Sequence, residues 1–302
     1  MTSINTNSSA MAALQTLRAV NQGLNQTQNH VSSGYRVEKA SDNAAYWSIA
    51  TTMRSDNKAL SAVSDALGVG AAKVDTAYTA MDSAIDVVSD IKAKLVAATE
   101  NGVDKAKVQE EIGQLQQQLL SIAQSASFNG ENWVAGATGT KSVVSSFVRD
   151  GSNAVSIKTT DYALSSGSLG NVLFGMTTAG AVETSTGILG TSSGATGSIY
   201  AMSITNFTAG QIQSALTNVE AALKAMTSAG AALGSLSKRI DSQDDFVNAL
   251  SDSIDSGVGR LVDANMEEES SKLSALQTQQ QLAIQSLSIA NSSSQNILSL
   301  FR

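Results

Sequence analysis

Residues 273–301 read LSALQTQQQLAIQSLSIANSSSQNILSLF, a run with apolar residues at helical spacing. Alternate steps of three and four from Leu273 reach Leu276, Gln280, Ala283, Leu287, Ala290, Ser294, Ile297 and Phe301. That is a coiled-coil seam diluted by small residues. The other end carries the same device: the step from Ala10 gives Ala13, Leu17, Val20, Leu24, Thr27 and Val31. Each end is therefore expected to be a helix with one apolar seam. Both are nearly empty of charge, with none between Leu273 and Phe301 and only Arg18 fully charged between Met1 and Tyr35.

A solvated helix normally carries mixed charges and i,i+4 ion pairs on its outer face. Their absence fits an assembly in which no face stays wet. Uncharged polar side chains can then bond one another or trapped water, whereas an unpaired buried charge costs several kcal/mol. Composition alone also allows a pair of disordered tails; the regular seams favour helix, loose in a lone molecule because such a helix is held mainly by packing.

At 302 residues the chain has room for two domains, and with aromatics at 4% the core must be built from Ala, Leu and Val. A net charge of −7 argues against nucleic-acid binding, which needs clustered Lys and Arg. With no Cys there is neither disulfide nor thiolate metal site, and the single His30 cannot supply a histidine pair, so no metal or cofactor is expected. The absence of Pro suits long uninterrupted helices. No run approaches the roughly 20 apolar residues of a membrane span, and the polar first residues do not resemble a signal peptide. The expectation is a cytoplasmic chain or one exported without a cleaved leader.

Between the ends, Ile49, Met53, Leu60, Val63, Leu67, Val74, Met81, Ile85, Val88, Ile91 and Leu95 predict one long amphipathic helix from Asn43 to about Thr99. Asn101-Gly102 breaks it, and Asp104 can cap a second helix striped by Val108, Ile112, Leu115, Leu119 and Ile122, which Phe128-Asn129-Gly130 ends. From Trp133 to about Met202 charge thins and Gly, Ser and Thr rise. Ser142–Arg149 and Asn153–Thr159 around Asp150-Gly151 predict a hairpin, whereas Gly167–Gly197 predicts either a small β module with long loops or a loose insert. Helical spacing resumes near Thr208, through Ile212, Leu216, Val219, Leu223, Met226, Leu236, Ile240, Phe246, Leu250, Ile254 and Val258, and runs almost without a stop into the C-terminal seam. The fold class expected is mainly α: a long antiparallel helical rod with coiled-coil termini and a small β-rich insert at its distal tip.

Motifs for chemistry are absent: no HExxH, GxSxG or GxxxxGK[ST] pattern occurs. Glu267-Glu268-Glu269 reads as a solvated helix face, and His30, without an evident catalytic partner, as a surface or interface residue. An enzyme is not expected. N-x-[ST] patterns at Asn7, Asn25, Asn206 and Asn291 are expected to be coincidence in a chain this rich in Asn, Ser and Thr.

Two limbs of sequence resemble bacterial flagellin. On the outgoing limb they are Val31-Ser32-Ser33-Gly34-Tyr35-Arg36-Val37, Ala40-Ser41-Asp42-Asn43-Ala44-Ala45 and Ile49-Ala50, with Phe128-Asn129-Gly130 further on. The returning limb has Leu233-Gly234-Ser235-Leu236, Arg239-Ile240, Arg260-Leu261-Val262-Asp263-Ala264-Asn265-Met266 with Glu268, Ala290-Asn291, and Gln295-Asn296-Ile297-Leu298-Ser299-Leu300. The likeness spans residues 1–160 and 205–302, roughly, and leaves the insert unmatched. It implies a secreted structural subunit that polymerises with other flagellin copies, sister flagellins among them, into the filament used for swimming. It also implies type III flagellar export, an export chaperone, and cap and hook–filament junction proteins as partners. Terminal helices at 1–34 and 273–302 would form an inner tube, folding on assembly; 35–130 with 205–272 would form a helical core domain, and 131–204 an outer module. The seam residues Ala10, Leu17, Val20, Leu24, Val31, Leu273, Leu276, Leu287, Ile297 and Phe301 would carry self-assembly, with Arg36, Asp42, Asn43, Arg260 and Asp263 as inter-subunit contacts.

The chain departs from the family pattern at Asn43, where a second acidic residue is usual, and at Tyr46, where a small one is usual, with Trp47 following. Asp90 and Ala93 stand where the patch read by the animal toll-like receptor has an Arg and a Glu. Weak or absent sensing by plant and animal innate immune receptors is expected, because losing or reversing a charge in a desolvated interface costs several kcal/mol. Ser294 replaces a usual Pro, so the last helix can run closer to the end. The rival readings are a hook–filament junction protein, a secreted helical adhesin or translocator, and an enzyme-bearing flagellin.

Overall fold

A computed structural model describes residues 7–100, 102–152, 154–177, 180–192 and 196–299, the last seven of these as backbone only. In chain order the elements are α1 (Ser8–Ser33), α2 (Ala44–Ala97), α3 (Lys105–Ser125), β1 (Ser127–Phe128), β2 (Glu131–Asn132), β3 (Gly139–Arg149), β4 (Val155–Leu164), β5 (Gly175–Met176), β6 (Val182–Glu183), α4 (Ala209–Val262) and α5 (Met266–Ser299). The protein is thus mainly helical, with a small strand-containing insert between long helices. Its contacts divide into two compact units, one of residues up to Lys58 and from Asp252, the other of Ala59–Ser251.

The second unit holds the deep core. Val74, Met81, Val88, Ile91 and Leu95 of α2, Ile112 and Leu119 of α3, and Val219 and Met226 of α4 are fully buried. Asp104 caps α3 by accepting from the Ala106 N–H, and Gly102 takes the positive φ of 99° that turns the chain beforehand; Asn101 lies outside the described residues. The helix ends at Ser125, short of the expected stop. Phe128-Asn129-Gly130 instead forms the turn of the β1–β2 pair, with both Asn129 and Gly130 at positive φ. That left-handed turn is the one an Asn-Gly pair suits.

The hairpin β3–β4 is longer than sequence spacing suggested, pairing Gly139 with Leu164 at one end and Arg149 with Val155 at the other. An irregularity between Val144 and Ser146 shifts its register. Asp150 fastens the turn by accepting from the N–H of Ser152 and Ala154. Thr160, Tyr162 and Leu164 alternate inward, and Tyr162 stacks on the buried Trp133 at 5.8 Å. Gly70 of α2 lets the hairpin approach, since a Cβ there would lie 2.2 Å from Val143 Cγ1.

The stretch from Gly167 onwards is irregular yet packed: Val172, Leu173, Phe174, Ile188, Leu189, Ile199, Met202 and Ile204 are buried. Glutamines of α3 replace the missing ladder. Gln116 donates to the carbonyls of Ile199 and Met202, while Gln109 accepts from the Ile204 N–H. Two positions of the expected stripes are corrected. Ile49 and Phe246 are 49% and 58% exposed, and their neighbours Ala50 and Val247 are buried instead, the stripe having drifted by one residue around the helix.

Candidate assembly surfaces

In the first unit α1 lies antiparallel to α5, because the two seams meet each other. Asn7 caps α1 and donates to the Ala290 carbonyl; Gln280 donates to Asn21 Oδ1; a Cβ at Gly23 would lie 3.6 Å from Leu276 Cδ2; His30 reaches Glu269. Ala10, Leu17, Val20, Leu24 and Val31 on α1 and Leu273, Leu276 and Leu287 on α5 are all shielded or half-shielded, and most positions between them are exposed. Ile297 and Phe301 fall outside the residues whose side chains are described. The contact is thin. On α1 only Leu24 and Thr27 are fully buried, while Met11, Leu14, Leu282, Ile284 and Ile289 stay open to solvent. A hollow of about 290 Å³ between the helices is lined by Ala13, Val20, Leu282 and Ala283.

One end of this pair is pinned by a crossing of chain segments. Gly34, at φ 75°, ends α1 and accepts from the Ala264 N–H; Arg36 and Val37 both donate to the Val262 carbonyl, and Tyr35 bridges Asp263. A short break at Asp263–Asn265 therefore separates α4 from α5, where helical spacing alone runs almost without a stop. Val37, Ala50, Val258 and Val262 form a small core here, joined by Met53, Ile254 and Leu261.

The contact candidates have work within the chain. Arg36 Nη2 donates to the Leu261 carbonyl. Asp42 Oδ2 accepts from the backbone N–H of Lys39 and Glu38, which holds its carboxyl below the usual range. Asn43 caps α2, accepting from the N–H of Ala45 and Tyr46. Asp263 pairs with Tyr35, and Arg260 is exposed. Tyr46, Trp47, Asp90 and Ala93 are exposed.

One residue read from sequence as solvated, Glu269, is corrected. Glu269 is 9% exposed, and its Oε1 takes a hydrogen bond from His30 Nδ1 at 3.1 Å, with Lys272 Nζ at 3.9 Å. Glu267 and Glu268 remain in solvent at the start of α5, where their charge suits the helix N-terminus. Sequence could not choose among three consecutive glutamates; the tertiary position of α1 does. Among the described residues no helix is long and apolar enough to cross a membrane, and no cluster of metal-ligating side chains occurs.

Comparison with known proteins accounts for both limbs. Residues 4–138 match the bacterial flagellin N-terminal helical region, and residues 216–301 match the bacterial flagellin C-terminal helical region. Flagellin A of Rhizobium meliloti is 51% identical and flagellin C of Rhizobium meliloti strain 1021 is 54% identical, in each case over the whole of both chains. A flagellin of Brucella melitensis biotype 1 is 45% identical over the same full coverage. A thin uncharged seam at both termini, a pinned crossing, and two matched limbs flanking an insert have one explanation: the chain belongs to the bacterial flagellin family.

Proposed function

We propose that this flagellin, a structural subunit of the extracellular flagellar filament and not an enzyme, assembles by enclosing α1 and α5 among neighbouring copies. The observation that carries the reading is the mismatch along those helices. Their facing seams are only half shielded, Met11, Leu14, Leu282, Ile284 and Ile289 stay exposed, and fully charged side chains are limited to Arg18 before Tyr35 and to the terminal Arg302 after Lys272. A two-helix contact of this kind is marginal in water, and further copies supply the missing cover. Residues 1–34 and 273–302 thus form the inner tube, 35–130 with 205–272 the surrounding helical layer, and 131–204 the outer module. Copies meet head to tail with a rotation that does not close, which gives an open helix.

Loose termini also suit export through the flagellar type III channel with a chaperone, and addition beneath a cap beyond the junction proteins. Folding coupled to assembly keeps monomers apart beforehand. Innate immune sensing is weak, because Asn43 is occupied as a helix cap, Tyr46 adds bulk, Asp90 reverses a charge and Ala93 lacks one. A receptor response equal to that of a strongly stimulatory flagellin overturns that part. For the assembly itself, a chain lacking residues 1–33 and 273–302 is expected to build no long filaments under seeding, as seen by electron microscopy. Normal filaments from it contradict the proposal.

A further inference from the structure

Leu169 is 82% exposed, more than any other large apolar side chain among the described residues that are exposed. It is nonetheless held. The feet of its loop, Leu164 and Val172, are buried. Asn171 accepts from the Ser165 N–H and donates to the Ala163 carbonyl, and Gly170 donates to the Gly167 carbonyl. A Cβ at Gly170 would lie 2.1 Å from the Ser165 carbonyl oxygen, so the loop closes tightly beside Leu169. An apolar knob fixed in this way pays little ordering entropy when it is covered.

The same unit offers a receiving surface. A groove of about 920 Å³ between α2 and α4 is lined by Val96, Leu216, Ala221 and Leu223, with the Lys92–Glu220 ion pair at its edge. Leu169 does not line it in its own chain; it borders an adjoining hollow above Ala225, Ala229 and Ala232, which shares Ala221, Lys224 and Ser228 of α4 with the groove. From Ser165 to Asn171 the knob carries no charge, so it brings none to be desolvated against that pair.

We propose that Leu169 of one copy seats in the α2–α4 groove of a neighbouring copy, as a lateral contact of the filament. The inference rests on the filament reading, because an open helical polymer requires two different, complementary patches on each molecule. One projecting residue and one groove on separate elements are such a pair. Leu169 does not fill the groove of its own chain, and contact between two Leu169 knobs would leave the grooves empty.

The chain has no cysteine, so cross-linking tests the contact cleanly. Leu169→Cys and Thr217→Cys variants, Thr217 lining the groove, are copolymerised from seeds, treated with a short bis-maleimide and denatured. Dimers are expected in the mixed polymer, and in neither variant polymerised alone. Filaments that yield no dimer, or equal dimer from Leu169→Cys alone, overturn the proposal and leave the filament reading standing. Leu169→Ser is expected to raise the critical concentration on the order of tenfold with the monomer's melting unchanged; unaltered assembly overturns the contact. Failure of the unmodified chain to polymerise from seeds removes the filament reading and the contact together.

Discussion

The helices of Ala59–Ser251 and the α1–α5 pair are built from the same residue types to opposite effect. Met81, Val88, Ile91 and Leu95 in α2 lose all exposure within a single chain, whereas Leu17, Leu273 and Leu287 lose only part of theirs. The first region is complete as a monomer. The second has a seam with one partner and an outer face with little charge beyond Lys272, so one part of the sequence completes its core alone while the other leaves its burial to neighbouring copies. Truncations in the two regions should therefore separate cleanly.

The largest effect is expected for Met81→Ala, which empties a fully buried site and should cost the monomer about 2–5 kcal/mol by denaturant unfolding. Leu287→Ala, by contrast, should leave the monomer's main transition where it was and shorten or abolish filaments. A Leu287→Ala monomer as destabilised as Met81→Ala would break the contrast. Next comes Gly70→Ala, which forces a Cβ into Val143 and should cost about 1–3 kcal/mol, read as loss of protection in β3 and β4. Combining it with Val143→Ala should recover most of that loss.

Removing His30 sharpens the comparison from the other side. His30→Ala leaves Glu269 buried with a weaker set of partners and should loosen α1 and α5 by about 1–3 kcal/mol, by amide exchange, with α2 beyond Ala59 unchanged. Exchange rising equally in both regions would show that they unfold as one. Smallest is an acid effect at Glu131. Its carboxyl is held below the usual carboxylate range first by the hydrogen bond from Lys73 and then by that from Trp133. A depressed pKa contributes stability that is full above the ordinary carboxylate value and disappears as the pH falls through the lowered one. Lys73→Met should therefore lower the stability of Ala59–Ser251 at neutral pH by a small amount, and the difference from the unchanged protein should shrink as the pH falls through the lowered value, read by denaturant unfolding at several pH values.

Much of the helical fold was legible in the sequence because seams at three- and four-residue spacing survive substitution by small residues, and because Asp104 is a good cap. The drift from Ile49 to Ala50 and from Phe246 to Val247 was not, since a stripe on a helix of 54 residues accumulates small rotations. The packed insert was also hidden: Val172–Phe174, Ile188–Leu189 and Ile204 follow no period, and glutamines on α3 organise them from afar. Glu269 became distinguishable only once α1 was placed, as burial is a tertiary property.

If α1 and α5 complete their burial only among neighbouring copies, hydrogen exchange resolved by residue will differ between dilute monomer and seeded filament. Amides of Ser8–Ser33 and Met266–Ser299 are expected to exchange fast in the monomer and slowly in the filament, while those of Val74–Leu95 are protected in both. Terminal amides in the dilute monomer as protected as Val74–Leu95 would contradict burial on assembly.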